Sequence, residues 1–191
     1  MLPQPPSGLL PCEVSARALL ESAIDHCSRQ HGIQYRSVLG QLKSGNRELH
    51  STLRYGLAKG LSRHVAQLGC AFHGVYVYGS ALAHEATPCS DIDMIFVVNR
   101  TRDEVARLLL GLDLALTTSY RRLLGLRSHP VSLLDVRVVD AAEEVERGRS
   151  GAPLCGMFTR PVCLWTSTSD TANRRPRGDG HPSCSSVSVR G

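Results

Sequence analysis

Apolar residues recur along this chain at two different periods. Val14, Ala18, Leu19, Ala23 and Cys27 fall at helical spacing and predict a first helix that stops before Gly32. Leu49, Leu53, Leu57, Leu61, Val65 and Leu68 form one stripe on a second helix, opened by Asn46 as a cap and closed by Gly69. Gly56 and Gly60 on that helix make a G-x-x-x-G pattern, which predicts close packing against a neighbour rather than dimerisation. The period then shortens to that of strands. Residues 75–78 are β-branched and aromatic, and 94–98 are a nearly continuous apolar run of the buried-strand type. Thr101-Arg102-Asp103-Glu104 has the form of a capping box. It opens a long helix whose stripe of Val105, Leu108, Leu109, Leu112, Leu116, Tyr120 and Leu123 is expected to lie against the sheet until Gly125 and Pro130 end it. Residues 131–139 read as a third strand, 141–147 as a short helix and 161–165 as a last edge strand. No internal repeat is present.

Strands interleaved with helices predict an α+β (α/β) chain. Residues 1–11 are rich in proline and glycine, and 166–191 combine Ser, Thr, Pro, Gly and Arg with little that is apolar. Both ends are expected to be disordered. The chain therefore divides into a tail at 1–11, a helical segment at 12–70, a domain at 71–165 and a tail at 166–191. A length of 191 residues leaves room for one catalytic domain.

Charge and cysteine content narrow the function classes. The net charge is +5, but residues 1–70 carry eight Lys/Arg against four Asp/Glu, whereas 71–165 carry ten against eleven. That falls short of the dense basic stripe of a dedicated nucleic-acid binder, so nucleic acid is not indicated as a partner. Seven scattered cysteines without a C-x-x-C pair read as reduced thiols. The first residues lack a basic leader region, and no apolar run approaches the roughly 20 residues of a membrane span. The expectation is a cytoplasmic protein with no membrane contact.

The stretch that carries chemistry is Tyr78-Gly79-Ser80, ten further residues, then Asp91-Ile92-Asp93 and the apolar run. Side chains alternate along a strand, so Asp91 and Asp93 point the same way at the start of a buried segment. Two adjacent like charges are costly there, and the cost is removed by a divalent cation, since hard carboxylate oxygens suit Mg²⁺. Gly79 allows a phosphate close to the backbone, and amides around the Ser80 hydroxyl form an anion-binding turn, the more so if a helix starts there.

With its spacing, VYVYGSALAHEATPCSDIDMIFVV resembles the signature of the minimal nucleotidyltransferases, compact members of the DNA polymerase beta superfamily. The resemblance covers about residues 74–165 and implies a nucleotidyltransferase fold, a small mixed β-sheet flanked by helices. It also demands a third carboxylate on a later strand. Asp135 in SLLDVRVV supplies it, with Leu133 and Arg137 on the same face; Asp140 ends the strand on the opposite face and competes less well. The implied chemistry is a two-metal mechanism in which Asp91, Asp93 and Asp135 hold two Mg²⁺ ions, with Mn²⁺ as a substitute. Asp135 helps activate an attacking hydroxyl, and Gly79 and Ser80 cradle the phosphates of a nucleoside triphosphate, expected to be ATP. Lys59 is the last lysine, so cationic help falls to arginine; Arg137 is the candidate, and a salt bridge is its alternative role.

One departure from the family pattern bears on activity. Leu82, Ala83 and His84 stand before Glu85 where the family has a small residue, a basic residue and glycine. His84 either replaces the basic donor or is simply solvated. The expected acceptor is a hydroxyl on a protein, as in antitoxins of this family that AMPylate a helical toxin partner, or on an antibiotic. The competing reading, of another class, is a degenerate fold kept as a non-catalytic, partner-binding module.

Overall fold

The computed structural model describes residues 11–68, 72–98, 102–127, 130–141 and 161–166. Four helices pack with one four-stranded mixed sheet, so the α+β expectation holds. The helices are α1 (Pro11–His31), α2 (Tyr35–Lys43), α3 (Arg47–Gln67) and α4 (Arg102–Leu124). The strands are β1 (Phe72–Tyr78), β2 (Ile92–Val98), β3 (Leu134–Asp140) and β4 (Val162–Thr166), in the order β3-β2-β1-β4. β1 is antiparallel to both β2 and β4, while β2 and β3 are parallel. Parallel neighbours need a long crossover, and α4 provides it.

The helical segment and the sheet share one hydrophobic core, which runs from Ala16 on α1 through Leu57 on α3 to Phe96 on β2 and Leu112 on α4. Phe72 meets Phe96 and Trp165 edge-on, its ring centroid 5.7 Å from each, and so ties β1 to both of its neighbours. Asn46 caps α3 as expected, its side chain accepting from the Leu49 amide at 3.2 Å. Gly56 and Gly60 face α1: a Cβ on them would stand 3.0 Å from the His26 ring and 3.2 Å from Leu19. This is the close packing that the G-x-x-x-G pattern predicts.

Several expectations need correction. α1 stops before Gly32 as expected but starts earlier, at Pro11, and α2 was not predicted, because YRSVLGQLK buries only Val38 and Leu42 around a central glycine. Leu68 belongs to no stripe; it caps α3 and is 53% exposed. The third strand begins at Leu134 rather than 131, leaving Val131 in solvent, and it ends, as expected, at Asp140, opposite Val98. α4 packs on α1 as well as on the sheet at β3, so its apolar stripe is shared between a helix and the sheet. Pro11 and Thr166, assigned to the tails 1–11 and 166–191, instead begin α1 and end β4; the rest of both tails, Thr101 of the capping box, Gly69 and the predicted helix beyond Ala141 lie outside the described residues. No described helix is long and apolar enough to cross a membrane, and the described cysteines Cys27, Cys89 and Cys163 are free thiols.

Candidate functional site

The sheet aligns the predicted carboxylates by register. Asp93, second in β2, pairs with Asp135, second in β3, and on its other side with Tyr78 at the end of β1. Residues paired across neighbouring strands share a face at a spacing of about 5 Å, so Tyr78, Asp93 and Asp135 form a row across three strands. Asp91 stands one residue before β2 and is exposed, as is Asp135, whereas Asp93 is half-buried. Burial, and then the charges of Asp91 and Asp135, push the Asp93 carboxyl up to about 6. Burial and the negative charges of Asp93, Asp135 and Asp91 also raise the Tyr78 phenol, and the Arg137 charge opposes them. Tyr78 and Asp93 thus both lie within the fields of Asp91 and Asp135. Arg137 is exposed two residues beyond Asp135 on the same strand and forms no ion pair among the described residues.

Gly79 is built into this row. Its φ is +73°, and a Cβ placed on it would fall 1.9 Å from Oδ2 of Asp93. Only glycine fits both the left-handed backbone and the adjacent carboxylate. The turn that follows differs from the expected helix start, because a single 3-10 turn, Gly79–Ala81, is all that forms. The amides of Leu82 and Ala83 close on the Gly79 carbonyl, and the Ser80 carbonyl accepts from Glu85 and from the Ser51 hydroxyl of α3. No α-helix dipole thus supports phosphate at Ser80. His84 is exposed, has a φ of +58° and lines a cleft of about 490 Å³ with His31 and Lys59. None of the three aspartates lines that cleft.

Two residues that the sequence reading did not single out hold the roots of the carboxylate strands. Asp113 on α4 accepts through Oδ1 from the Leu133 and Leu134 amides at 2.9 and 2.8 Å, and through Oδ2 from the Ser132 hydroxyl at 2.8 Å. It fixes the start of β3 just before Asp135. Arg54 on α3 is fully buried and donates to the Ser90 carbonyl, just before Asp91. The Ile92 amide donates to the Leu133 carbonyl at 2.9 Å and joins the two roots.

A cation at this row would meet an all-oxygen donor set, the chemistry that Mg²⁺ and Mn²⁺ favour, and its charge would relieve the repulsion felt by Asp93. Among the described residues no three His, Cys, Asp or Glu side chains converge tightly enough to hold an ion as they stand. Binding therefore requires the exposed Asp91 or Asp135 side chain to turn toward Asp93. Compared with family models, curated proteins and solved structures, the chain matches none.

Proposed function

We propose that this chain has the nucleotidyltransferase fold of the DNA polymerase beta superfamily and transfers a nucleoside monophosphate from a triphosphate to an acceptor hydroxyl. The observation that carries the reading is the in-register pair Asp93 and Asp135, with Asp91 beside it and the Gly79 backbone against the Asp93 carboxylate. Asp91, Asp93 and Asp135 would hold Mg²⁺. When bound, the metal neutralises triphosphate charge and stabilises the leaving pyrophosphate.

The chain's own residues supply the rest. Asp135, exposed at the start of its strand, takes the proton of the acceptor hydroxyl as that oxygen attacks the α-phosphorus and the bond to the pyrophosphate breaks. Gly79 lets the phosphates approach the backbone, with the Ser80 hydroxyl beside it. Arg137, exposed on the strand of Asp135, is the candidate to meet the negative charge that develops. ATP is the expected donor. A protein hydroxyl, as in AMPylation of a helical toxin-type partner, is preferred to an antibiotic as acceptor.

The test is incubation of the purified chain with each α-labelled nucleoside triphosphate and Mg²⁺ or Mn²⁺, with and without cell extract, beside Asp93→Ala and Asp135→Asn. Label transfer by the wild type and loss in both variants is the expected result, and the labelled species identifies the acceptor. Absence of both turnover and metal-dependent nucleotide binding overturns the proposal and leaves the non-catalytic partner-binding module.

A further inference from the structure

Arg54 lies in the interior with no carboxylate among its described partners, an arrangement that is costly unless every donor is satisfied. The guanidinium meets that condition with neutral acceptors. Nε and Nη2 both donate to the Ser90 carbonyl, at 3.0 and 2.7 Å. The second Nη2 proton points to the Tyr120 hydroxyl at 3.5 Å, and Nη1 serves Nδ1 and the carbonyl of His50 at 3.1 and 3.2 Å. All five N–H groups of the fork are engaged.

The proton positions around it follow from what each partner can do. Nε2 of His50 stands 2.9 Å from the Leu42 carbonyl, which can only accept, so Nε2 carries the proton and Nδ1 presents its lone pair to Arg54. Burial and the Arg54 charge keep this imidazole neutral, with its pKa lowered to about 4. The Tyr120 hydroxyl lies 3.2 Å from the same Nδ1 and 3.3 Å from the Pro88 carbonyl, which accepts from it, while its ring lies 5.7 Å from the guanidinium carbon. Two carbonyls, those of Pro88 and Ser90, are thus gripped from α3 and α4. Between them the segment is also tied to itself, the Thr87 amide donating to the Ser90 hydroxyl at 2.9 Å. The next residue is Asp91.

We infer that Arg54, through His50 and Tyr120, is a positioning residue that sets where Asp91 and Asp93 stand for metal binding. The inference rests on the reading of those aspartates as metal ligands. A lysine keeps the charge but not the fork, so it cannot hold Ser90 twice while reaching His50 and Tyr120. Removal of the residues that orient metal ligands typically weakens binding by about 10–100-fold.

The test compares the full chain with Arg54→Lys and with Tyr120→Phe, which keeps the ring packing should the lysine variant fail to fold. Amide hydrogen exchange is read at Ser90 and Ile92 against α1 and α3, and Mn²⁺ affinity is read from the free-ion electron paramagnetic resonance signal. The expected result is faster exchange confined to Ser90 and Ile92, with Mn²⁺ bound about tenfold or more weakly in Arg54→Lys and by a smaller factor in Tyr120→Phe. Unchanged local exchange in a folded variant, a uniform rise across the helices, or local loosening without loss of Mn²⁺ affinity each overturns the inference. Failure of the wild type to bind Mn²⁺ instead sinks the metal-ligand reading itself, whatever the exchange shows.

Discussion

Replacing Gly79 with alanine separates two consequences of the site's geometry. The first is backbone strain: an L-residue at φ +73° gives up roughly 1–2 kcal/mol, partly offset by the lower entropy of the unfolded chain, for a net loss of about 1 kcal/mol. The second is contact, since the new methyl would sit 1.9 Å from Oδ2 and 2.8 Å from Cγ of Asp93. The carboxylate must swing away, and such overpacking typically costs about 1–3 kcal/mol. Gly32 provides the control, with φ +64° and nothing within 4 Å of its would-be Cβ. Gly32→Ala should therefore lose about 1 kcal/mol and Gly79→Ala about 2 kcal/mol more, a further fall in Tm of roughly 4–8 °C for a chain of this size.

A double-mutant cycle with Asp93→Ala assigns the excess. That change removes the two close atoms and leaves the Asp93 Cβ at 3.4 Å, ordinary van der Waals contact. In the Asp93→Ala background Gly79→Ala should cost no more than Gly32→Ala, so the coupling energy should be about 2 kcal/mol. Thermal and urea unfolding measured with chelator supply all the values. Equal losses for Gly79→Ala and Gly32→Ala in the wild-type background would refute the argument, because the Asp93 carboxylate would then move freely and the backbone would not hold it against the turn.

Two further expectations concern pH. With its carboxyl raised to about 6, Asp93 is uncharged and harmless below the unfolded value near 4, and the full penalty of its charge applies above 6. Discounted for half-exposure that penalty is about 1 kcal/mol, so in excess chelator Asp93→Asn should be more stable than wild type by about this amount at pH 8 and equal to it at pH 4. A variant less stable at pH 8 would sink the assignment. For His50 the sign is opposite: its folded pKa of about 4 lies below the usual imidazole value of 6.5, so its stabilising neutrality is complete above 6.5 and lost as the pH falls toward 4. Urea unfolding should register a loss of about 2 kcal/mol across that window, and the His50 ring signals should show no titration step between pH 5 and 8. A step near 6.5 would contradict the proton arrangement around Arg54.

The apolar stripes of α3 and α4 and the strand at 94–98 were legible because burial on one side leaves a local period, and the proximity of Asp91 and Asp93 follows from their spacing. What a stripe packs against is not local. The stripe of α4 gave no sign that α1 covers it as well as the sheet, nor could spacing reveal that Asp93 and Asp135 pair in register across a crossover of some forty residues. α2 escaped because it buries only two side chains.

The residues that sequence polarity hid most completely share a pattern. Arg54 follows Leu53 on α3, and Asp113 follows Leu112 on α4, each a charge at the edge of an apolar stripe where a solvated side chain is the ordinary reading. Each instead turns inward and spends its charge on backbone, Arg54 on the Ser90 carbonyl and Asp113 on the Leu133 and Leu134 amides. A cation holds acceptors and an anion holds donors, so the chemistry of each anchor matches the groups left unpaired where β2 and β3 begin. Charge in a helix stripe that breaks the local rule therefore marks the two chain positions where Asp91 and Asp135 are set.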